Sequence, residues 1–128
     1  MIEKYYNEDK SAIAVLVSYD YGAGWSTWNK QGGEPYQIAY DKRVVEFWLE
    51  HKNDKHYLEE LDRFNFEANP IKTEALTYFE SLGYSGIYFG GFSGIELEWV
   101  PIGAHFEIRE YDGAESLYIL DLSDYAVA

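Results

Sequence analysis

The chain has 128 residues, 47% hydrophobic and 19% aromatic, which is enough for one domain around one core. Its formal charge of −13 at pH 7, with Arg109 the only Lys or Arg after Lys72, works against direct binding to DNA, RNA or an anionic membrane, all of which rely on cations to neutralise phosphate. With no cysteine there is neither a disulfide nor a thiolate metal site, and no apolar run approaches the ~20 residues of a membrane span.

Met1–Lys10 is polar and charged, unlike a signal peptide, and is expected to lie along the surface as an N-terminal arm of a single domain spanning residues 1–128. Ala12–Val17 is short and rich in β-branched residues, so it reads as a strand buried on both faces. The strand breaks at Gly22 and Gly24, and Trp25, Ser26, Thr27, Trp28 and Asn29 follow. Glycines beside flat and small polar groups suit a backbone that passes close to a partner, and a loop leaving a central strand is a favoured place for a site. Lys30–Pro35 stays irregular, and Tyr36–Tyr40 reads as a short strand.

Asp41 is placed as the N-cap of a helix over Lys42–His51, with Val44, Val45, Trp48 and Leu49 inward. Lys55–Phe64 reads as a second helix with Tyr57, Leu58 and Leu61 inward. The third has Asn69 as N-cap, Pro70 at its first position, Ile71, Ala75, Phe79 and Leu82 on one side, and Gly83 as its stop. From Tyr84 the pattern turns to β, with Gly86–Phe92 aromatic and glycine-rich. Ile95–Val100 alternates, setting Ile95, Leu97 and Trp99 against Glu96 and Glu98. Ala104–Tyr111 alternates again, Asp112–Gly113 supplies a tight hairpin turn, and Ser116–Leu122 is the last strand. The expected fold is α+β: an antiparallel sheet made of a central N-terminal strand and a C-terminal meander, with two to three helices on one face.

Catalysis is not expected, and neither is a cofactor. His51, His56 and His105 are dispersed without zinc-site spacing, Ser26 lies in no nucleophile elbow, and Gly22-Ala23-Gly24 lacks both the third glycine of a dinucleotide fingerprint and the lysine of a P-loop. Glu96, Glu98, Glu107 and Glu110 form a candidate acidic face on neighbouring strands, without a convergent base or nucleophile.

The segments GAGWSTWN (22–29), AYDKRVVEF (39–47) and EWVPIGAHFEIREYDGAESL (98–117) together resemble a group of small proteins of bacteriophages and prophages. The resemblance spans Val15 to Leu117. It implies residence in the cytoplasm of a bacterial host and a role against host antiviral defence, as in anti-CRISPR proteins or in sponges that sequester nucleotide signals.

Two functional readings follow. In the first, the acidic hairpins bind a host protein with a basic surface, and Trp25, Trp28 and Tyr111 act as anchors. In the second, the Gly22–Asn29 loop and the Asp112–Glu115 hairpin frame a pocket for a nucleotide-like ligand, with Trp25 or Trp28 stacking on the base and Arg109 as the nearby cation. The alternative is that the loop packs its tryptophans on the core. A high aromatic content in so small a domain also fits a homo-oligomer.

Overall fold

The computed structural model describes residues 2–63 and 69–120. Among these residues the architecture is α+β, with four α-helices and two antiparallel two-stranded sheets. Strand β1 (Ala12–Ser18) is buried at all seven positions, as its apolar run demands. It pairs antiparallel with β2 (Ile95–Pro101), Ala12 opposite Pro101 and Ser18 opposite Ile95. β3 (His105–Tyr111) pairs with β4 (Ala114–Leu120) through the turn at Asp112–Gly113. Both turn residues have positive φ, 51° and 86°, which is the backbone of the tightest hairpin turn and the reason for Asp-Gly there.

The expected single sheet is therefore two sheets, and the other edge of β1 explains the division. The N-terminal arm occupies part of that edge: Tyr6 bridges Ile13, and the Ala14 N–H donates to the Tyr5 carbonyl at 2.8 Å. At the end of β1 the Ser18 N–H donates instead to the side chain of Glu115 on β4, at 3.0 Å. A carboxylate oxygen stands where a neighbouring strand would offer a carbonyl, so β4 reaches β1 through a side chain. Asp121 and Leu122, the expected end of the last strand, lie outside the described residues.

The three long helices begin where their caps predict. α2 (Lys42–His51) is capped by Asp41 accepting from the Arg43 N–H, α3 (Lys55–Asp62) by Asp54 accepting from Tyr57, and α4 (Pro70–Ser81) by Asn69 accepting from Lys72. Phe64, placed in the second helix by periodicity, lies outside the described residues. α4 ends before Gly83, whose φ is +98°. The core gathers Val44, Val45, Phe47 and Trp48 from α2, Leu58 and Leu61 from α3, and Ala75 and Phe79 from α4, together with β1.

Three local expectations are corrected. Tyr36–Tyr40 is not a strand: Gln37–Tyr40 forms one helical turn, α1. All four of its residues are buried, so neither a period of 2 nor one of 3.6 shows in the sequence. Gly86–Phe92 is not a strand either. Ile87, Phe89 and Phe92 turn into the core from a loop that ends in a 3₁₀ turn, Phe92–Gly94. Trp99 does not join Ile95 in the interior. It is 45% exposed and packs its ring on Tyr5 of the arm, while Val100 is buried on the opposite face.

Candidate functional site

The Gly22–Asn29 loop leaves β1 and folds against the tip of the β3–β4 hairpin. The Gly22 N–H donates to the Asp112 carbonyl at 2.6 Å. Gly113 makes this approach possible, because a Cβ there would stand 2.6 Å from the Ala23 nitrogen and 2.8 Å from the Trp28 ring. Gly24 gives the same clearance from inside the loop, where a Cβ would stand 2.6 Å from the Trp28 ring. Asn29 closes the far end: it accepts the Tyr88 N–H at 2.9 Å and donates to the Tyr88 carbonyl at 3.0 Å, as a paired strand residue would.

Glu115 is the clasp of this arrangement. Its side chain, 1% exposed, accepts from the Ser18 N–H and the Thr27 N–H, each at 3.0 Å, and from the Thr27 hydroxyl at 2.5 Å. None of the salt bridges among the described residues involves it, so three donors hold the buried charge. The sequence placed Glu115 with the binding residues, but it faces inward and fastens the loop to the hairpin.

Trp25 also turns inward. It is 1% exposed, meets Phe79 and Phe92 edge-on at 6.1 and 5.3 Å between centroids, and donates its indole N–H to the Ile38 carbonyl at 3.3 Å. Its role here is packing, and neither an interface nor a stacked base can reach it. Trp28 differs: it is 42% exposed and lies 5.2 Å from the Tyr88 ring, whose hydroxyl donates to the Gly22 carbonyl. Beside them Tyr21 and Tyr111 stand 73% and 78% exposed and touch edge to face at 6.4 Å. Glu110 and Asp112 are exposed within the same tip, and Glu110 also accepts the Gly113 N–H at 2.8 Å. The sequence missed Tyr21 and Tyr88, since a tyrosine next to a glycine loop carries no signal of which way it points.

The remaining candidates are spread out. Glu96 and Glu98 lie on β2 while Glu107 and Glu110 lie on β3, which belongs to the other sheet, so they do not share neighbouring strands as expected. Glu98 accepts from the Tyr19 hydroxyl at 2.6 Å; burial and this carboxylate push Tyr19 above its ordinary value. Arg109 pairs with Glu107 and lies over the Tyr118 ring at 4.3 Å. Among the described residues its side chain bonds only to Glu107 and not to the Gly22–Asn29 loop, so it is not placed as the cation of a pocket there.

A buried polar chain borders the loop's continuation. The Gln37 side chain accepts the Gly33 and Glu34 N–H groups and donates to the Tyr84 hydroxyl at 2.8 Å. Tyr84 donates to Asp41 at 2.7 Å, and Asp41 receives the Arg43 guanidinium on both oxygens. Burial alone would raise Asp41, but the bonds from Arg43 and Tyr84 outweigh it and hold the carboxyl below its ordinary value. Burial and the Asp41 hydrogen bond push Tyr84 up to about 12. Along this loop a cleft of about 480 Å³ is lined by Ser26 and by residues 29–36, Lys30 among them, and the buried Ser26 hydroxyl has no partner among the described residues.

Among the described residues no group of His, Asp and Glu side chains converges as a metal site, and no helix is long and apolar enough to cross a membrane. No family model matches the chain, and no curated protein or solved structure is significantly similar to it.

Proposed function

We propose that this is a non-catalytic binding protein of phage type that acts in the bacterial cytoplasm as an antagonist of antiviral defence, by covering the basic groove of a host nucleic-acid-handling protein. The observation that carries this reading is the hairpin tip, where Tyr21, Tyr111 and Trp28 are exposed beside Glu110 and Asp112. Tyrosine and tryptophan supply large contact areas at low entropic cost, and the carboxylates complement lysine and arginine. The chain's charge of −13 steers such an encounter and repels nucleic acid itself. The anchors of this interface are Trp28, Tyr21 and Tyr111, with Trp25 beneath them as support.

The test is competition. A purified defence nuclease carrying labelled nucleic acid is titrated with this protein, and displacement is followed by fluorescence anisotropy at low and moderate salt. Displacement that weakens with salt is expected, and a Tyr21→Ala/Tyr111→Ala variant should lose about thirtyfold, the ~2 kcal/mol of a hot spot. Absence of displacement at both salts across a panel of such nucleases, or full activity of the double variant, would defeat the proposal.

A second reading, sequestration of a nucleotide-like signal, draws on the Ser26 cleft and its lone buried hydroxyl. Its base-stacking residue cannot be Trp25, and Lys30 replaces Arg109 as the cation at hand. Mass spectrometry of the supernatant after heating the purified protein separates the two readings, because only a sponge releases a defined nucleotide.

A further inference from the structure

Far in sequence from the hairpin tip, α2, α3 and α4 leave a cleft of about 270 Å³ between them, lined by Phe47, Glu50, His51, Tyr57, Glu74 and Tyr78. It falls just under the ~300 Å³ at which pockets for drug-sized molecules begin, a size that suits one small head group. Its walls are two ring pairs. Phe47 and Tyr78 stack at 5.5 Å with 18° between planes, and His51 and Tyr57 stack at 3.8 Å with 8°. The pairs are turned against each other, Phe47 to Tyr57 standing at 61°. Phe47 and Tyr57 thus meet at an angle, Tyr78 lines the same cleft from α4, and Glu50 and Glu74, both exposed, complete the lining.

Among the described residues no lysine or arginine pairs with the carboxylates of this cleft. Glu74 enters no ion pair among the described residues, and the ring nitrogen of His51 comes no closer to Glu50 than 3.9 Å. The neighbouring lysines are turned elsewhere: Lys52 lies over the Trp48 ring at 5.5 Å, and Lys55 pairs with Glu59. The Tyr57 hydroxyl registers the surplus, pushed up to about 12 by burial and then by Glu74, Glu50 and Asp54. An anion is repelled here, and a neutral apolar ligand would cover carboxylates without pairing them. A hard divalent cation would need six or more oxygens, and two carboxylates among rings do not supply them. A weakly hydrated cation gains from both ring faces and carboxylates at once.

We propose that this cleft is a binding site for an alkylated ammonium ion, with Tyr57 and Tyr78 as its aromatic walls and Glu50 and Glu74 as its counter-charges. The site is independent of the hairpin tip and of the antagonist reading.

The experiment is an NMR titration of the full chain with choline and with 3,3-dimethylbutan-1-ol, its neutral carbon counterpart. Choline should give saturable shifts at His51, Tyr57 and Tyr78, and the alcohol should bind at least tenfold more weakly. Tyr78→Leu should weaken choline binding about tenfold. Tyr78 is 41% exposed, so this variant retains the core, and Glu74→Gln provides a second loss of several-fold at an exposed position. A peptide bearing trimethyllysine is the companion probe. Tighter binding than choline would place the ammonium on a partner chain, weaker binding would place it on a free small molecule, and the site stands in both cases. Equal affinity for choline and the alcohol, shifts confined to other residues, or no saturation with any of the cations would overturn it.

Discussion

Glu115→Gln is the substitution that tests the clasp most directly, because it changes charge and one donor pattern while keeping volume. The carboxylate meets three donors on two oxygens: the Ser18 N–H on one, the Thr27 N–H and hydroxyl on the other. A glutamine offers one acceptor oxygen, so its NH₂ must face either Ser18 or Thr27 N–H, donor against donor. One buried N–H is then left without an acceptor, which costs about 1–3 kcal/mol, and the surviving bonds lose their charge assistance. The expected total is about 2–4 kcal/mol of folding free energy, measured by urea unfolding followed through tryptophan fluorescence. Glu96→Gln, at an exposed position with no hydrogen bond among the described residues, is the reference and should lie within about 0.5 kcal/mol of the parent. Thr27→Val keeps the N–H and removes only the hydroxyl, so it should fall between the two, near 1 kcal/mol. A Glu115→Gln protein as stable as the Glu96→Gln reference would show that the carboxylate does not fasten the loop, and the description of the hairpin tip as a preformed surface would fall with it.

Trp25→Ala should cost about 3–5 kcal/mol in the same unfolding assay, the range of large aromatic truncations in cores, whereas Tyr111→Ala should leave stability almost unchanged; the reverse order would refute the assignment of Trp25 to the core and Tyr111 to the surface. Gly113→Ala should destabilise by more than about 1 kcal/mol, since it forces a side chain onto a φ of +86° and against the Ala23 nitrogen, and its amide spectrum should shift at Gly22 and Ala23 as well as in the turn. Asp41→Asn should cost about 1–3 kcal/mol at neutral pH, mostly from the Tyr84 bond because the Arg43 side chain is half in solvent. Since the fold holds Asp41 below its ordinary 3.8, its contribution is complete above that pH and is lost as the pH falls through the folded value. The gap between parent and Asp41→Asn should therefore narrow in acid, and a gap that widens there would contradict the assigned ionisation.

Local chemistry fixed much of this chain before any packing. Asp41, Asp54 and Asn69 satisfy helix N–H groups within three residues of themselves, Gly83 and the Asp112–Gly113 turn supply positive φ, and the apolar run of β1 leaves it no solvated face. Each of these signals acts over one turn of chain, so the sequence suffices to show it. The candidate site was legible only in position. That a glycine–tryptophan loop follows β1 and a hairpin turn follows β3 is plain from the residues, but Trp25 and Trp28 look alike in sequence and part company only against Phe79, Phe92 and Tyr88. Glu115 reads as part of an exposed binding hairpin until β4 is set beside β1, 97 residues away from Ser18, and the N–H groups left at the end of that strand are seen to need an acceptor. Which way a side chain points is decided by what lies across from it, and hydrogen-bond satisfaction between distant segments, unlike a cap or a turn, leaves no periodic trace along the chain.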